Sequence, residues 1–188
     1  MGYDTKTKVY VVKANEFNAF ALPDNSIFVF DQVLKEIKSY PELAALLGHE
    51  YIHIKNRHGM KSLAHLLSRE LLTEIFSGGD NSEKFIRNSN KLLTLKNSRD
   101  FETEADKGGL DLLIQNSIDI NGMTELFKRM AKISEGKSIP TYLNTHPDSE
   151  DRLETIELEI NGKQCNYVHS EKLDSLFQQL TTFTNSYE

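Results

Sequence analysis

The chain has 188 residues, the length of one domain, and its 22 Lys and Arg against 28 Asp and Glu leave a net charge of −6, which repels phosphate backbones and anionic lipid and excludes a general nucleic-acid binder. Cys165 is the only cysteine, which excludes an intrachain disulfide and a thiolate metal cluster and leaves His and carboxylates for any metal site. No run approaches the roughly 18 apolar residues of a membrane span, and residues 1–8 lack the apolar core of a signal peptide. These residues are therefore expected to be soluble. A periplasmic or membrane-anchored full-length protein, tethered by a segment outside this sequence, is compatible with that expectation.

In chain order, residues 9–12 are β-branched and aromatic, and 18–22 and 26–30 flank Pro23-Asp24-Asn25, a turn tripeptide; together they predict a small sheet containing a hairpin. From Asp31 the apolar period becomes helical, with Asp31 the expected N-cap and Val33, Leu34 and Ile37 on one stripe. Ser39 and Glu42 stand in capping-box relation with Pro41 in the first turn, so a second helix is predicted through His49 to about Arg57. Residues 60–76 and 83–97 read as amphipathic helices around a break at 77–81. Residues 98–116 are predicted helical despite Gly108-Gly109, a pair that implies a close backbone neighbour or a kink. Asn121 is the expected cap of the next helix, 135–145 reads as a loop, and helices are predicted over 148–160 and 170–180. The fold class that follows is α+β, mainly helical: one domain over 1–188, strand-rich over 8–30 and helical over 31–188.

Within the second helix, His49-Glu50-Tyr51-Ile52-His53 is an H-E-x-x-H motif. Residues four apart share a helix face, so the two imidazoles can converge on one ion, while Glu50, about 100° round, reaches a water beside it. The surrounding Leu43, Leu46, Leu47 and Ile54 make the helix largely apolar, and His and Glu in such a helix need partners. A hydrolytic zinc keeps three protein ligands and an open fourth position. The third ligand is sought in 98–106, where Glu102 and Asp106 share a face and Glu104 points about 200° away from Glu102. Geometry favours the Glu102/Asp106 pair, one as ligand and one behind it, without choosing the order.

These residues resemble the gluzincin family of the HtpX heat-shock proteases and type I CaaX prenyl proteases, peptidase family M48. Four blocks carry the resemblance: Asn18-Ala19-Phe20-Ala21-Leu22-Pro23; Glu42 through Gly48 to His49-Glu50 and His53; Ser98-Arg99 to Glu102-x-x-Ala105-Asp106; and Thr145-His146-Pro147 with Arg152. The chain departs from the family pattern at Ile52, where a small residue is usual, and at Asp24-Asn25, often a glycine pair. The resemblance implies a zincin-like fold with the small sheet packed beside the active-site helix, one Zn2+ on His49, His53 and Glu102, and Asp106 orienting a ligand histidine. It implies an endopeptidase acting on unfolded or misfolded polypeptide, with Glu50 as general base. Charged residues such as Lys61, Arg69, Glu70 and Lys84, where membrane relatives carry hydrophobic spans, imply a version without them.

His146 is the first candidate for stabilising the oxyanion, and alternatively a fourth, inhibitory ligand; Arg152 and Tyr142 are further candidates. Asn18, Ala19 and Phe20, if they form an edge strand, could bind substrate backbone by β-augmentation. His58 is read as a cation at a helix end, and His65 and His169 receive no site role. The competing readings are a catalytically silent, zinc-stabilised module that binds polypeptide or a partner, and a helical adaptor without metal.

Overall fold

The computed structural model describes residues 6–65, 98–135, 141–146, 149–163 and 166–185. The helix expected over 83–97, the break at 77–81 and the second half of the helix expected over 60–76 lie outside these residues.

The β-branched and aromatic runs form β1 (Lys8–Val12), β2 (Ala19–Leu22) and β3 (Ser26–Phe30), one sheet in the order β1-β3-β2. β2 and β3 make the expected antiparallel hairpin, with Ala19 opposite Val29 and Leu22 opposite Ser26. Its turn closes because Asn25 adopts φ 67°, a left-handed conformation that asparagine tolerates, and Asp24 Oδ1 accepts the Ser26 N–H at 3.1 Å. β1 runs parallel to β3. Tyr10 and Phe20 both stack on Phe28, at 5.1 and 5.3 Å between centroids, so three aromatic rings tie the strands together.

The chain passes from β3 straight into α1 (Asp31–Glu36), which overturns one expectation. Asp31 is not the N-cap; Phe30 holds that position without a side-chain bond, and Asp31 lies in the first turn with its carboxylate accepting the Ala14 N–H at 2.8 Å. α2 (Tyr40–Lys55) starts as expected, with Ser39 Oγ accepting the Glu42 N–H. The reciprocal half of the box slips by one residue: Glu42 accepts the Lys38 N–H at 3.1 Å, and Arg129 grips the same carboxylate at 2.6 and 3.2 Å.

α3 (Arg99–Gln115), α4 (Asn121–Glu135), α5 (Thr141–Thr145), α6 (Ser149–Asn161) and α7 (Glu171–Asn185) follow. At the start of α4 the Asn121 side chain donates to Asp119 Oδ1 at 2.9 Å, and the same oxygen accepts the Asn121 N–H at 3.0 Å. The stretch expected to be loop over 135–145 ends in α5, a short helix that carries Tyr142 toward the core. No helix among the described residues is long and apolar enough to cross a membrane.

α2 packs chiefly on α3 and then on α4. The helices cross where glycines meet: a Cβ on Gly48 would lie 3.5 Å from Gly109 Cα, and one on Gly109 would lie 3.2 Å from the His49 nitrogen. Gly108 leaves room for Ile52, whose side chain would sit 2.8 Å from a Cβ there. The glycine pair thus marks a close approach, and it accommodates the large residue beside His53. Leu46, Leu110, Leu113, Met123, Leu126 and Phe127 fill the space between these helices; burying each such side chain contributes about 1.5–3 kcal/mol. That apolar gain offsets the cost of the polar cluster described next.

At the α2–α4 contact, a Cβ on Gly122 would fall 2.5 Å from the Pro41 carbonyl oxygen, and backbone cannot yield as a side-chain tip can. Gly122→Ala is expected to destabilise the fold by about 1–3 kcal/mol, read from urea unfolding. An unchanged midpoint would contradict this packing.

A buried histidine and carboxylate centre

His49 and His53, one turn apart on α2, are 2% and 5% exposed. Their Nε2 atoms lie 2.9 Å apart. Glu102, reaching in from α3, sets Oε2 at 3.4 Å from His49 Nε2 and Oε1 at 3.4 Å from His53 Nε2. His146, at the end of α5, places Nδ1 3.1 Å from both Glu102 oxygens and 3.3 Å from His49 Nε2. One donor atom from each of these four residues lies within 4.8 Å of every other.

Two buried imidazole nitrogens facing each other at that separation need a cation or a proton between them. Asp106 decides the state of His49, since its Oδ1 stands 2.8 Å from His49 Nδ1 and takes the Nδ1–H, leaving Nε2 toward the cluster. Burial opposes charge on His49, but Asp106 and Glu102 outweigh it and hold its pKa at about 9. Burial, joined by the neighbouring charge of His49, pushes His53 down to about 4 against the pull of Glu102. The Glu102 carboxyl stays well below the usual carboxylate range, because His146, His49 and His53 overcome the effect of burial. Imidazole nitrogens and a carboxylate converging within this small buried space form a nitrogen and oxygen donor set that fits a borderline divalent ion.

Behind this layer, Arg152 from α6 forms a bidentate pair with Asp106, Nε to Oδ2 and a terminal nitrogen to Oδ1, both 2.7 Å. Its other terminal nitrogen lies 2.8 Å from Glu102 Oε2. Arg152 is 7% exposed and sits over the Phe127 ring at 4.9 Å. The guanidinium pairs with these two carboxylates and braces the acids that face the histidines.

Glu50 is 1% exposed and accepts the Tyr142 hydroxyl at 3.3 Å, with His146 Nε2 3.6 Å away. Burial and the nearby Glu50 charge raise the Tyr142 pKa well above its ordinary value, so the phenol stays protonated and donates. Its ring stacks on His146 at 4.3 Å.

A cleft of about 460 Å³ opens beside His53, lined by Ala21, Leu22, Pro23 and Asn25 of the hairpin and by Ile54 and Met60. β2 is an edge strand of the sheet and packs on α2. Asn18 and Ala19 are buried, and Asn18 Oδ1 has no hydrogen-bond partner among the described residues. The Asn18 carbonyl accepts the Phe30 N–H at 3.0 Å, so that group pairs inside the sheet. Phe20 stacks on Phe28.

The centre also holds residues that the sequence reading passed over. His58, expected to be a cation at a helix end, instead opens the next helical segment and is completely buried beside His53. Glu104, pointing away from Glu102 as the helical angle requires, pairs with it. Five positions after His53, and about 140° round from it on a regular helix, His58 carried no spacing signal.

A model of Peptidase family M48 matches residues 1–160. Among curated proteins, the chain is 34% identical over 162 residues to the mitochondrial metalloendopeptidase OMA1 of Schizosaccharomyces pombe, covering 82% of this chain and 47% of that protein. It is 29% identical over 164 residues to the OMA1 metalloendopeptidase of Homo sapiens, covering 79% and 31%. It is also 29% identical over 161 residues to the metalloprotease LoiP of Escherichia coli, covering 82% and 62%. The chain thus spans less than two thirds of each of these relatives.

Proposed function

Because the chain belongs to peptidase family M48, we propose that it is the catalytic part of a zinc-dependent endopeptidase, with His49, His53 and Glu102 holding the ion and Glu50 as general base. The observation that carries this reading is the convergence of two outward-tethered imidazoles and a buried carboxylate on one point, with a second carboxylate, Glu50, in the same pocket. When bound, the ion supplies Lewis acidity, acidifying a water and polarising a carbonyl.

The protein's own groups do the rest. Glu50 accepts the proton of the attacking water and returns it to the leaving amine. The Tyr142 hydroxyl, 3.3 Å away, holds Glu50 in place and keeps its second oxygen available. Asp106, braced by Arg152, fixes the His49 ring. The buried surroundings exclude bulk water and strengthen each of these interactions. The substrate we propose is unfolded or misfolded polypeptide lying in the cleft beside His53, its backbone along the β2 edge.

Two measurements test the reading. Elemental analysis of purified protein is expected to give about one zinc per chain, and dialysis against a strong chelator should abolish casein hydrolysis, with activity returning on addition of zinc. Protein that binds no zinc and still cleaves would refute it. The closeness of His146 to Glu102 and His49 favours the reading of His146 as a fourth ligand at rest over that of an oxyanion stabiliser. His146→Ala is then expected to raise turnover several-fold; a fall would assign His146 to the transition state instead.

A further inference from the structure

The Nδ1 of His53 has a backing that the proposed ligand set leaves unexplained. It lies 2.8 Å from His58 Nδ1, and His58 Nε2 lies 3.1 Å from Glu104 Oε2. His58 is 0% exposed, its ring stacked on Phe101 with centroids 4.4 Å apart and planes 4° apart. The chain turns sharply to bring it there: α2 ends at Lys55, and Arg57 takes φ 55°, a left-handed conformation that costs a non-glycine residue about 1 kcal/mol or more. Asn56, in the same turn, donates to the Glu104 oxygen that His58 meets, at 3.2 Å.

Two Nδ1 atoms at hydrogen-bond distance share one proton, and the carboxylate determines which ring owns it. Glu104 can only accept, so His58 donates from Nε2. With that hydrogen on Nε2, the His58 ring presents its other nitrogen, Nδ1, as an acceptor toward His53. His53 must supply the Nδ1–H, and its Nε2 lone pair is left facing His49 and Glu102.

We propose that His58, backed by Glu104, is a positioning residue that sets the tautomer and ring plane of His53 for metal binding. It is the counterpart, on the second imidazole, of what Asp106 does for the first. The inference rests on the reading of His53 as a metal ligand.

The test compares His58→Phe, which keeps a ring against Phe101 but loses both hydrogen bonds, with His58→Gln, whose amide can accept from His53 and donate to Glu104. Glu104→Ala removes the far end of the relay at a half-exposed side chain, where folding is not at risk. Zinc affinity is measured by competition with a chromophoric chelator, and ring geometry by the visible spectrum of cobalt(II)-loaded protein. His58→Phe is expected to raise the zinc Kd by about 10–100-fold, the range for lost partners of metal-bound histidines, and to alter the cobalt bands. Glu104→Ala should shift both in the same direction, and His58→Gln should restore them toward wild type. Wild-type affinity and spectrum in Glu104→Ala and in folded His58→Phe would overturn the proposal, as would equal losses in His58→Gln and His58→Phe, which would mean packing alone. Wild-type protein that takes up neither metal would refute the metal-site reading itself, a different failure.

Discussion

Glu50→Gln is expected to lower peptide hydrolysis by a factor of about 10²–10⁴, the contribution typical of a positioned general base, while zinc content and folding stay as in wild type. The substitution preserves size, and the amide oxygen can still accept from Tyr142, whose hydroxyl now lies 3.3 Å from Glu50 Oε1. What it removes is the capacity to take a proton in a pocket where Glu50 is 1% exposed and no bulk water can substitute. Turnover of casein by wild type and variant, with metal content determined on the same preparations, checks this. Equal activities would end the assignment of Glu50, and absence of activity in both, with zinc bound, would favour the catalytically silent module.

The largest loss of stability is expected from Arg152→Met. The substitution roughly preserves length and contact with Phe127 but strips the cation from two buried carboxylates, Asp106 at 2.7 Å and Glu102 at 2.8 Å. Removing one partner of a buried ion pair costs about 3–5 kcal/mol because the other remains desolvated and uncompensated. For a chain of this size that corresponds to a fall in Tm of about 6–20 °C, read on metal-free protein by circular dichroism. A fall of under about 2 °C would mean that the acids find another partner. Asp106 also holds the Nδ1 of His49, so weaker zinc binding should accompany the loss.

The parts of the fold legible in sequence were those decided locally. Ser39 announces α2 because one side-chain oxygen and one N–H make the cap. The hairpin follows from Pro23-Asp24-Asn25, and the pairing of Glu102 with Asp106 on one face follows from helical spacing alone. What escaped was decided between elements. Asp31 has the chemistry of a cap, but the uninterrupted passage from β3 to α1 sends its carboxylate to Ala14. Arg152 was recognisable as a cation near the centre, yet only the packing of α6 shows that it faces the acids. His58 becomes part of the centre through a left-handed residue at Arg57, a conformation that no spacing rule predicts for arginine. Ile52 is accommodated by Gly108, two positions from Asp106 on another helix, a relation visible only once the helices are crossed.

His49 and Arg152 meet through Asp106 although they stand 103 positions apart in the chain, with Glu102 and Asp106 contributed from between them. A ribosome releasing this polypeptide would therefore expose the H-E-x-x-H segment long before its braces existed. The buried set of histidines and carboxylates is thus complete only once α6 is in place to supply the cation between Asp106 and Glu102.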